Sequence, residues 1–311
     1  MPTRPFRFGA QIAQARSREQ FVAKAKKLED LGYSTMFMPD HFDEQLAPMP
    51  ALAAAAAATS TLRIGSLVFD NDYKHPIVMA KEAATLDLLS DGRLEFGLGA
   101  GWLRTDYEQS GIPYDTPGVR VDRFEEGLEI IKRHFSGETF SFSGKHYTIT
   151  EHAGTPLPVQ RPHPPILIGA GAKRMCTIAG READIVSVNF SLQSGAIDAA
   201  MAVTGLAEAT KEKIECIKAG AGDRFDDVEL STTVFMSAIV ADRLKFAGMV
   251  AQGFGLTAEQ GLSIPHFLVG TESQIIEDLQ QRREEYGFSY VVISGGAEET
   301  MAPIVAKLAG T

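Results

Sequence analysis

Cysteine is scarce in this chain, and the two that are present lie far apart. Among 311 residues only Cys176 and Cys216 are cysteines, and their spacing matches no metal-binding motif. So few thiols exclude the disulfide framework of small secreted proteins and fit a reducing compartment. The sequence also has no apolar run long enough to span a bilayer and no stretch typical of a signal peptide. We therefore expect a cytoplasmic protein with no membrane partner.

Positive charge is also in deficit. The chain has 30 Lys and Arg against 40 Asp and Glu, which gives a formal net charge of -10 at pH 7. Because nucleic acids attract proteins through basic surfaces, this balance disfavours a nucleic-acid partner. An anionic small molecule would need a local pocket that is basic or rich in backbone N–H groups.

Several catalytic motifs are missing as well. The seven histidines form neither H-x-H nor H-E-x-x-H, so the sequence predicts no metal site. No G-x-S-x-G segment indicates a serine hydrolase. The segments GLGAGW and GAGAKR do not match the nicotinamide fingerprint G-x-G-x-x-G, because Trp102 and Arg174 occupy its last position.

What is present is a regular alternation of strand-like and helix-like segments. Eight strands are predicted, at residues 6–10, 35–38, 62–68, 92–99, 165–171, 183–189, 228–240 and 289–296. Eight strand–helix units in one chain of this length favour an α/β fold of the (β/α)₈ TIM-barrel type, with a doubly wound sheet as the alternative. We expect a single domain over residues 1–311, with a hairpin or lid insertion at about 138–164 and a helical insertion at about 241–266.

Helix ends carry local signals. Ser17-x-x-Gln20 and Thr271-x-x-Gln274 are capping boxes that predict helix starts. The segments LGYSTMFM and YGFSYVVI share one order: helix end, glycine, aromatic residue, serine and apolar strand. In both, the glycine is predicted to adopt a left-handed conformation just after a helix.

Polar and glycine residues collect where the predicted strands end, which is where (β/α)₈ barrels carry their chemistry. Asp40 and His41 follow the second strand, and GAGAKR begins at the end of the fifth. Each has a plainer interpretation: Asp40 could equally cap a turn, and glycines after a strand could only permit a tight turn. In GAGAKR, small residues, a helix start and two basic side chains predict a phosphate site.

The segments LEDLGYSTMFMPDHF, LRIGSLVFDNDYKHPIVMAKEAATLDLLSDGRLEFGLGAGW and PVQRPHPPILIGAGAKRM resemble the bacterial luciferase-like superfamily. More narrowly, they resemble its actinobacterial branch of F420-dependent oxidoreductases. The resemblance covers nearly the whole chain and implies a barrel that holds a flavin or deazaflavin at the C-terminal ends of its strands. It also implies a homodimer and a small-molecule substrate.

The resemblance further implies roles for individual residues. His41 would move the proton that accompanies hydride transfer, Asp40 would orient the ring system or the imidazole, and Trp102, with Tyr107, would border the substrate. A non-proline cis peptide is expected near Leu67–Val68. The implied cofactor-binding residues are Asp40, His41, Leu67, Val68, Asn71 or Asp70, Gly99, Ala100, Gly101 and, for the phosphate, Gly169, Ala170, Gly171, Ala172, Lys173 and Arg174.

One departure from the family pattern concerns the substrate. Trp102 stands where the sugar-phosphate dehydrogenases of the superfamily carry a catalytic glutamate, so a more apolar or aromatic substrate is favoured. Three functions stay open at this point. They are a coenzyme F420-dependent oxidoreductase, an FMN-dependent monooxygenase that needs a separate flavin reductase, and a flavin-binding protein without catalysis.

Overall fold

The structure is a computed structural model, and it describes residues 4–311. Its strands, in chain order, are β1 (Arg7–Gln11), β2 (Thr35–Met38), β3 (Arg63–Ser66), β4 (Phe69–Asp70), β5 (Leu94–Gly99), β6 (Thr139–Ser143), β7 (Thr148–Ala153), β8 (Ile166–Ala170), β9 (Ile185–Val188), β10 (Glu229–Val234), β11 (Met236–Ile239), β12 (Phe267–Gly270) and β13 (Phe288–Ile293). Its α-helices are α1 (Arg18–Asp30), α2 (Pro48–Ala58), α3 (Pro76–Leu89), α4 (Arg104–Ser110), α5 (Pro117–Ser136), α6 (Lys173–Glu182), α7 (Ala199–Val203), α8 (Ala207–Ala221), α9 (Arg243–Gln252), α10 (Ala258–Ser263), α11 (Glu272–Tyr286) and α12 (Glu298–Leu308).

The parallel strands follow the order β3-β2-β1-β13-β10-β9-β8-β5-β4, and β3 also pairs with β5. With β3 and β4 counted as two halves of one strand, this is the topology of a (β/α)₈ barrel, as the sequence predicts. Most residues of the barrel strands are buried, because helices cover the outside of the barrel and side chains fill its interior. In β2 and β13, for example, every residue is buried.

The chain divides into two compact units. The first contains the residues up to Ile12, together with Lys27–Met36 and Ile168–Thr311. In it β13 pairs in parallel with β1 on one side and β10 on the other, with Phe8 opposite Val291 in the register. A separate parallel pair, β11 with β12, also belongs to this unit.

The second unit contains Ala13–Lys26 and Phe37–Leu167. In it β3 and β4 both pair with β5. The antiparallel hairpin β6–β7 lies within the segment 138–164, and in the first unit α9 and α10 lie within 241–266. That all of these belong to a single domain stays a prediction.

The local signals mark the helix ends as the sequence predicts, although only half of the capping box forms at Ser17, because Gln20 Oε1 accepts the Arg16 N–H. Thr271 and Gln274 form a complete capping box at the start of α11. Gly32 and Gly287, which follow α1 and α11, have φ values of 81° and 78°. A residue with a Cβ atom is strained at such angles, so glycine is required there.

One predicted strand differs from the structure. The predicted strand at 228–240 is interrupted after Val234, and its second half, β11, leaves the barrel to pair with β12. Between β9 and β10 the chain forms two α-helices, α7 and α8, separated by residues 204–206. The short helix α4 has no counterpart among the predicted elements.

Candidate active site

The third barrel strand is interrupted by a non-proline cis peptide between Leu67 and Val68. This is the position at which the sequence resemblance places such a bond. Before the interruption, Ser66 Oγ and the Leu67 N–H both donate to the Met38 carbonyl, at 2.8 and 2.9 Å. The ends of β2 and β3 are therefore fixed to each other immediately before Asp40.

His41 is held by a residue that sequence reasoning missed. Its Nδ1 lies 2.6 Å from Asp106 Oδ2, and the Asp106 side chain is 4% exposed. The Tyr73 hydroxyl donates to the same oxygen at 3.0 Å, and the Phe42 N–H donates to Oδ1 at 3.3 Å. Since a carboxylate accepts, the bond places a hydrogen on Nδ1 and leaves Nε2 for proton exchange.

Trp102 borders this imidazole. The two rings meet edge to face, with centroids 5.7 Å apart at 89°. The Trp102 carbonyl accepts a hydrogen bond from the Tyr114 hydroxyl at 3.0 Å, which fixes the backbone that carries the indole. Both side chains are partly exposed, so a ligand can contact them.

Of the two roles that the resemblance implies for Asp40, orienting the imidazole belongs to Asp106, and orienting the ring system stays a prediction. Asp40 Oδ2 accepts the Asp70 N–H at 3.2 Å, whereas His41 is oriented by Asp106. Burial raises the pKa of Asp40 above its usual range, and the Asp70 N–H and Lys74 oppose this shift. Asp40 therefore links the end of β2 to β4, which is a contact between strands and not the cap of a turn.

The glycines at the end of β5 lie where a side chain cannot fit. A Cβ on Gly99 would lie 2.6 Å from Val68 Cγ2, beside the cis peptide. Gly101 has a φ of 73°, and a Cβ there would collide with the Tyr107 hydroxyl and with Asp70. Glycine is therefore required at 99 and 101 by close packing within the protein, and the segment 99–101 carries no side chain larger than the Ala100 methyl group.

Beneath this segment lies a buried polar cluster. Tyr107 is fully buried, so it supports the site from below and does not border the substrate, contrary to the sequence-based expectation. Its hydroxyl lies 3.2 Å from Asp70 Oδ2 and 3.1 Å from Asp72 Oδ2. Asp72 also accepts two hydrogen bonds from Arg123, at 2.7 and 3.1 Å.

Asn71 connects the site to the β6–β7 hairpin. It is 2% exposed, and its Nδ2 donates to the Tyr147 hydroxyl at 3.3 Å. Tyr147 lies between the hairpin strands, in a turn whose N–H groups are bound by Glu126 of α5. Gly127, the next residue of α5, leaves the room that the Asn71 side chain occupies.

The predicted phosphate segment lies in the first unit. There β8 ends at Ala170 and α6 begins at Lys173, with Ala172 as the N-cap residue. A Cβ on Gly171 would collide with the Phe190 carbonyl, so glycine is required by close packing. Lys173 and Arg174 are exposed in the first turn, where the free N–H groups of a helix favour an anion.

Each of the two units has residues that fit a flavin-like group. In the second unit, the backbone at 99–101, which carries only small side chains, and the partly exposed side chains of His41 and Trp102 suit a planar ring, whereas Asn71 is buried and its contact with a cofactor stays a prediction. In the first unit, the start of α6 suits a phosphate. Asp106, Tyr73, Asp72 and Arg123 were not found from the sequence, although the run Asp70-Asn71-Asp72 after a strand was a usable signal.

The sequence matches a family model described as luciferase-like monooxygenase over residues 3–244. The chain belongs to the luciferase-like monooxygenase family. Within the described residues, no helix has the length and hydropathy that crossing a bilayer requires. In the same part of the chain, no group of three or more His, Cys, Asp and Glu side chains is arranged to hold a metal ion.

Individual relatives are more distant. An uncharacterised protein of Mycobacterium tuberculosis is 31% identical in an alignment of 187 positions, with coverage of 52% of this chain and 65% of the relative. An FMNH(2)-dependent dimethylsulfone monooxygenase of Pseudomonas putida is 28% identical over 49% of this chain and 42% of the relative. The chain thus aligns with less than two thirds of the length of these relatives.

The fold extends over the whole chain. The coenzyme F420-dependent tetrahydromethanopterin reductase of Methanopyrus kandleri superposes with a TM-score of 0.79 and 18% identity. The match covers 98% of this chain and 99% of the reductase. At this level of identity the likeness establishes the barrel fold and leaves the activity open.

Proposed function

We propose that this protein is a coenzyme F420-dependent oxidoreductase that transfers a hydride between C5 of the deazaflavin and a small organic substrate. The observation that carries the proposal is His41, held through Nδ1 by buried Asp106 beside the backbone of a glycine segment. A histidine with one nitrogen fixed and one available suits the proton transfer that accompanies hydride transfer. The proposal retains the predicted cytoplasmic homodimer.

Each part of the chain has one task in this proposal. The bound deazaflavin supplies the hydride carrier. Leu67, Val68 and the segment 99–101 provide backbone surface for the ring, and buried Asn71 connects the site to the β6–β7 hairpin through Tyr147. In the first unit, the segment Gly169, Ala170, Gly171, Ala172, Lys173 and Arg174 binds the phosphate.

The substrate side is assigned to Trp102 and His41. His41 Nε2 gives or takes the proton while Asp106 keeps the imidazole in one tautomer and orientation. The indole of Trp102 excludes water and favours an apolar or aromatic substrate over a sugar phosphate. Asp40 acts through the backbone of β4, which it fixes.

The second candidate function is an FMN-dependent monooxygenase that receives reduced flavin from a separate reductase. The similarity to the Pseudomonas putida dimethylsulfone monooxygenase favours it. A third, a flavin-binding protein without turnover, would keep the fold and the glycine segment but would need no proton-transfer residue.

Equilibrium binding to the purified protein separates the first two functions. Titrations with F420 and with FMN, followed by fluorescence, should give tighter binding of F420. Far tighter binding of FMN would overturn the proposal and favour the monooxygenase. A substrate screen with reduced F420, followed by absorbance, then identifies the substrate.

The substitution His41→Ala tests the catalytic assignment. We expect turnover to fall by about 10²-fold or more, the usual contribution of a general acid or base, while the Kd for the cofactor changes little. His163→Ala, in the proline-rich loop before β8, is the matched control and should leave turnover unchanged. Wild-type turnover in His41→Ala would remove His41 from the mechanism.

A further inference from the structure

Asp70 and Asp72 are two buried acids that share one hydroxyl group. Asp70 is 6% exposed and the Asp72 side chain is 2% exposed. The Tyr107 oxygen lies 3.2 Å from Asp70 Oδ2 and 3.1 Å from Asp72 Oδ2. Both contacts are within hydrogen-bond distance, and Tyr107 is fully buried between them.

Asp70, Asp72 and Tyr107 form a buried triad. If both acids were ionised, the triad would have too few hydrogens for its two contacts. A tyrosine hydroxyl has one hydrogen and can donate to only one carboxylate. The other carboxylate would then face a bare oxygen lone pair at close range in a buried place, which is costly. One additional proton, carried by one of the two acids, satisfies all three groups.

The neighbours determine which acid carries this proton. Asp72 accepts from Arg123 Nε at 2.7 Å and from Nη2 at 3.1 Å, so the guanidinium already supplies a hydrogen to each of its two oxygens. Asp70 accepts the Asp72 N–H at 2.8 Å, and its own N–H is bound to the Asp40 carboxylate. The proton therefore belongs on Asp70 Oδ2, which donates to Tyr107, and Tyr107 donates to Asp72.

The electrostatic surroundings agree with this assignment. Burial, and then the nearby charges of Asp72 and Asp40, raise the pKa of Asp70 to about 8, against the Asp72 N–H and the Tyr107 hydroxyl. The other charged and titratable groups around this triad are Tyr73, Lys74, Asp106, Arg120 and Arg123.

We propose that Asp70 is a protonated carboxylic acid at neutral pH and a positioning residue for the segment 99–101. Gly101 lies directly on the Asp70–Tyr107 pair, since a Cβ at Gly101 would collide with both side chains. Loss of the proton would open the hydrogen bond between them and alter the support of that segment. The effect on cofactor binding rests on the proposed function, whereas the protonation itself does not.

Infrared spectroscopy of the ligand-free protein tests the protonation directly. The difference spectrum between wild type and Asp70→Asn at pH 6.5 should contain a carboxylic-acid C=O band that belongs to Asp70. In wild type this band should disappear as the pH rises through about 8. A difference spectrum with only carboxylate bands at pH 6.5 would overturn the proposal.

Thermal unfolding provides a second readout in the same protein. Because the folded pKa of Asp70 lies above its unfolded value near 4, its contribution to stability is full below pH 4 and is lost as the pH rises towards about 8. Asp70→Asn, which mimics the protonated acid, should lack this loss. If the Tm of both proteins had the same pH dependence between pH 5 and pH 8, Asp70 would be ionised in the fold and the proposal would fail.

Cofactor binding then tests the positioning role. In wild type the affinity for F420 should fall by up to about tenfold per pH unit above the pKa of Asp70, while Asp70→Asn should bind F420 independently of pH in this range. Tyr107→Phe, which removes the shared hydroxyl but keeps the ring, should weaken binding at every pH. If the infrared band of Asp70 were present but F420 binding did not change with pH, Asp70 would be protonated but would not position the segment 99–101.

Discussion

At the scale of single residues, the contact between His41 and Asp106 determines what the site can do. A histidine that could rotate or exchange tautomers would present either nitrogen to a ligand. Here a buried carboxylate fixes Nδ1, and that carboxylate is itself fixed by the Tyr73 hydroxyl and the Phe42 N–H. Three donors on one carboxylate leave it little freedom, so the imidazole is held in one orientation before any ligand binds.

Asp106→Asn should therefore lower turnover while cofactor binding is retained. The amide fills the same space, but it has no charge to stabilise a protonated imidazole and can also rotate to present its NH₂ group. We expect a loss in kcat of roughly 10-fold to 10²-fold, part of the full contribution of an acid–base residue. Steady-state kinetics across pH 5–9 should also give a pH–rate profile of different shape.

Tyr73→Phe is the matched variant for this prediction. It removes one donor to Asp106 and keeps the carboxylate, so its loss in kcat should be smaller than that of Asp106→Asn. A normal kcat and a normal pH profile in Asp106→Asn would mean that the contact with His41 is structural only.

At the scale of secondary-structure elements, one side chain attaches the β6–β7 hairpin to α5. The Glu126 carboxylate accepts hydrogen bonds from the N–H groups of Lys145, His146 and Tyr147, at 2.7, 2.9 and 3.1 Å. Burial opposes ionisation, but these three N–H groups hold the pKa of Glu126 below its usual range. Because Tyr147 contacts Asn71, the attachment extends to the candidate site.

Glu126→Gln should release the hairpin turn. A neutral amide offers one oxygen where the carboxylate offers two, and we expect a local loss of about 1–2 kcal/mol. Hydrogen exchange should then be roughly tenfold faster at Lys145, His146 and Tyr147, with little change in the barrel strands. Glu129→Gln, at an exposed position on the same helix, should leave exchange unchanged. Equal exchange rates in both variants would show that Glu126 does not anchor the turn.

Elements whose signals lie in neighbouring residues could be predicted from the sequence, and elements that depend on distant contacts could not. The capping box at Thr271 and the left-handed glycines at 32 and 287 depend on neighbouring residues, and the structure confirms them. Helix α4 spans only seven residues, so no helical period could form, and with it Asp106 was missed. The interruption of the predicted seventh strand depends on pairing with β12, about 30 residues further along the chain, which no local pattern encodes.

At the scale of the whole molecule, buried titratable groups determine how stability depends on pH. Burial lowers the pKa of His134 to about 4 and that of His266 to about 3. Both folded values lie below the unfolded value near 6.5, so each histidine contributes stability that is full above pH 6.5 and is lost as the pH falls. Asp70, with a folded pKa of about 8, acts in the opposite direction as the pH rises from 4 to 8.

These three groups together predict a maximum of stability near pH 6.5. Between pH 4 and pH 6.5 the unfolded chain binds two protons on the histidines, and the folded chain binds one on Asp70. Among these three groups the unfolded chain binds one proton more than the folded chain, so their combined contribution to stability rises with pH in this range. Above pH 6.5 the histidines of the unfolded chain are neutral, and only the folded chain holds an extra proton, on Asp70. Stability therefore falls with pH until about pH 8. Urea unfolding at half-unit pH intervals measures this curve.

The double substitution His134→Asn and His266→Asn tests the acid side of the curve. Asparagine can keep the hydrogen bond that each Nδ1 makes, to His152 and to the Thr233 carbonyl, but it does not titrate. We expect lower stability at pH 7 from lost packing, and stability that no longer falls between pH 6.5 and pH 4. His163→Asn, a histidine in the loop before β8, should keep the wild-type slope. If the double variant lost stability towards acid as steeply as wild type, other groups would govern acid unfolding, and the two buried imidazoles would contribute only packing and hydrogen bonds.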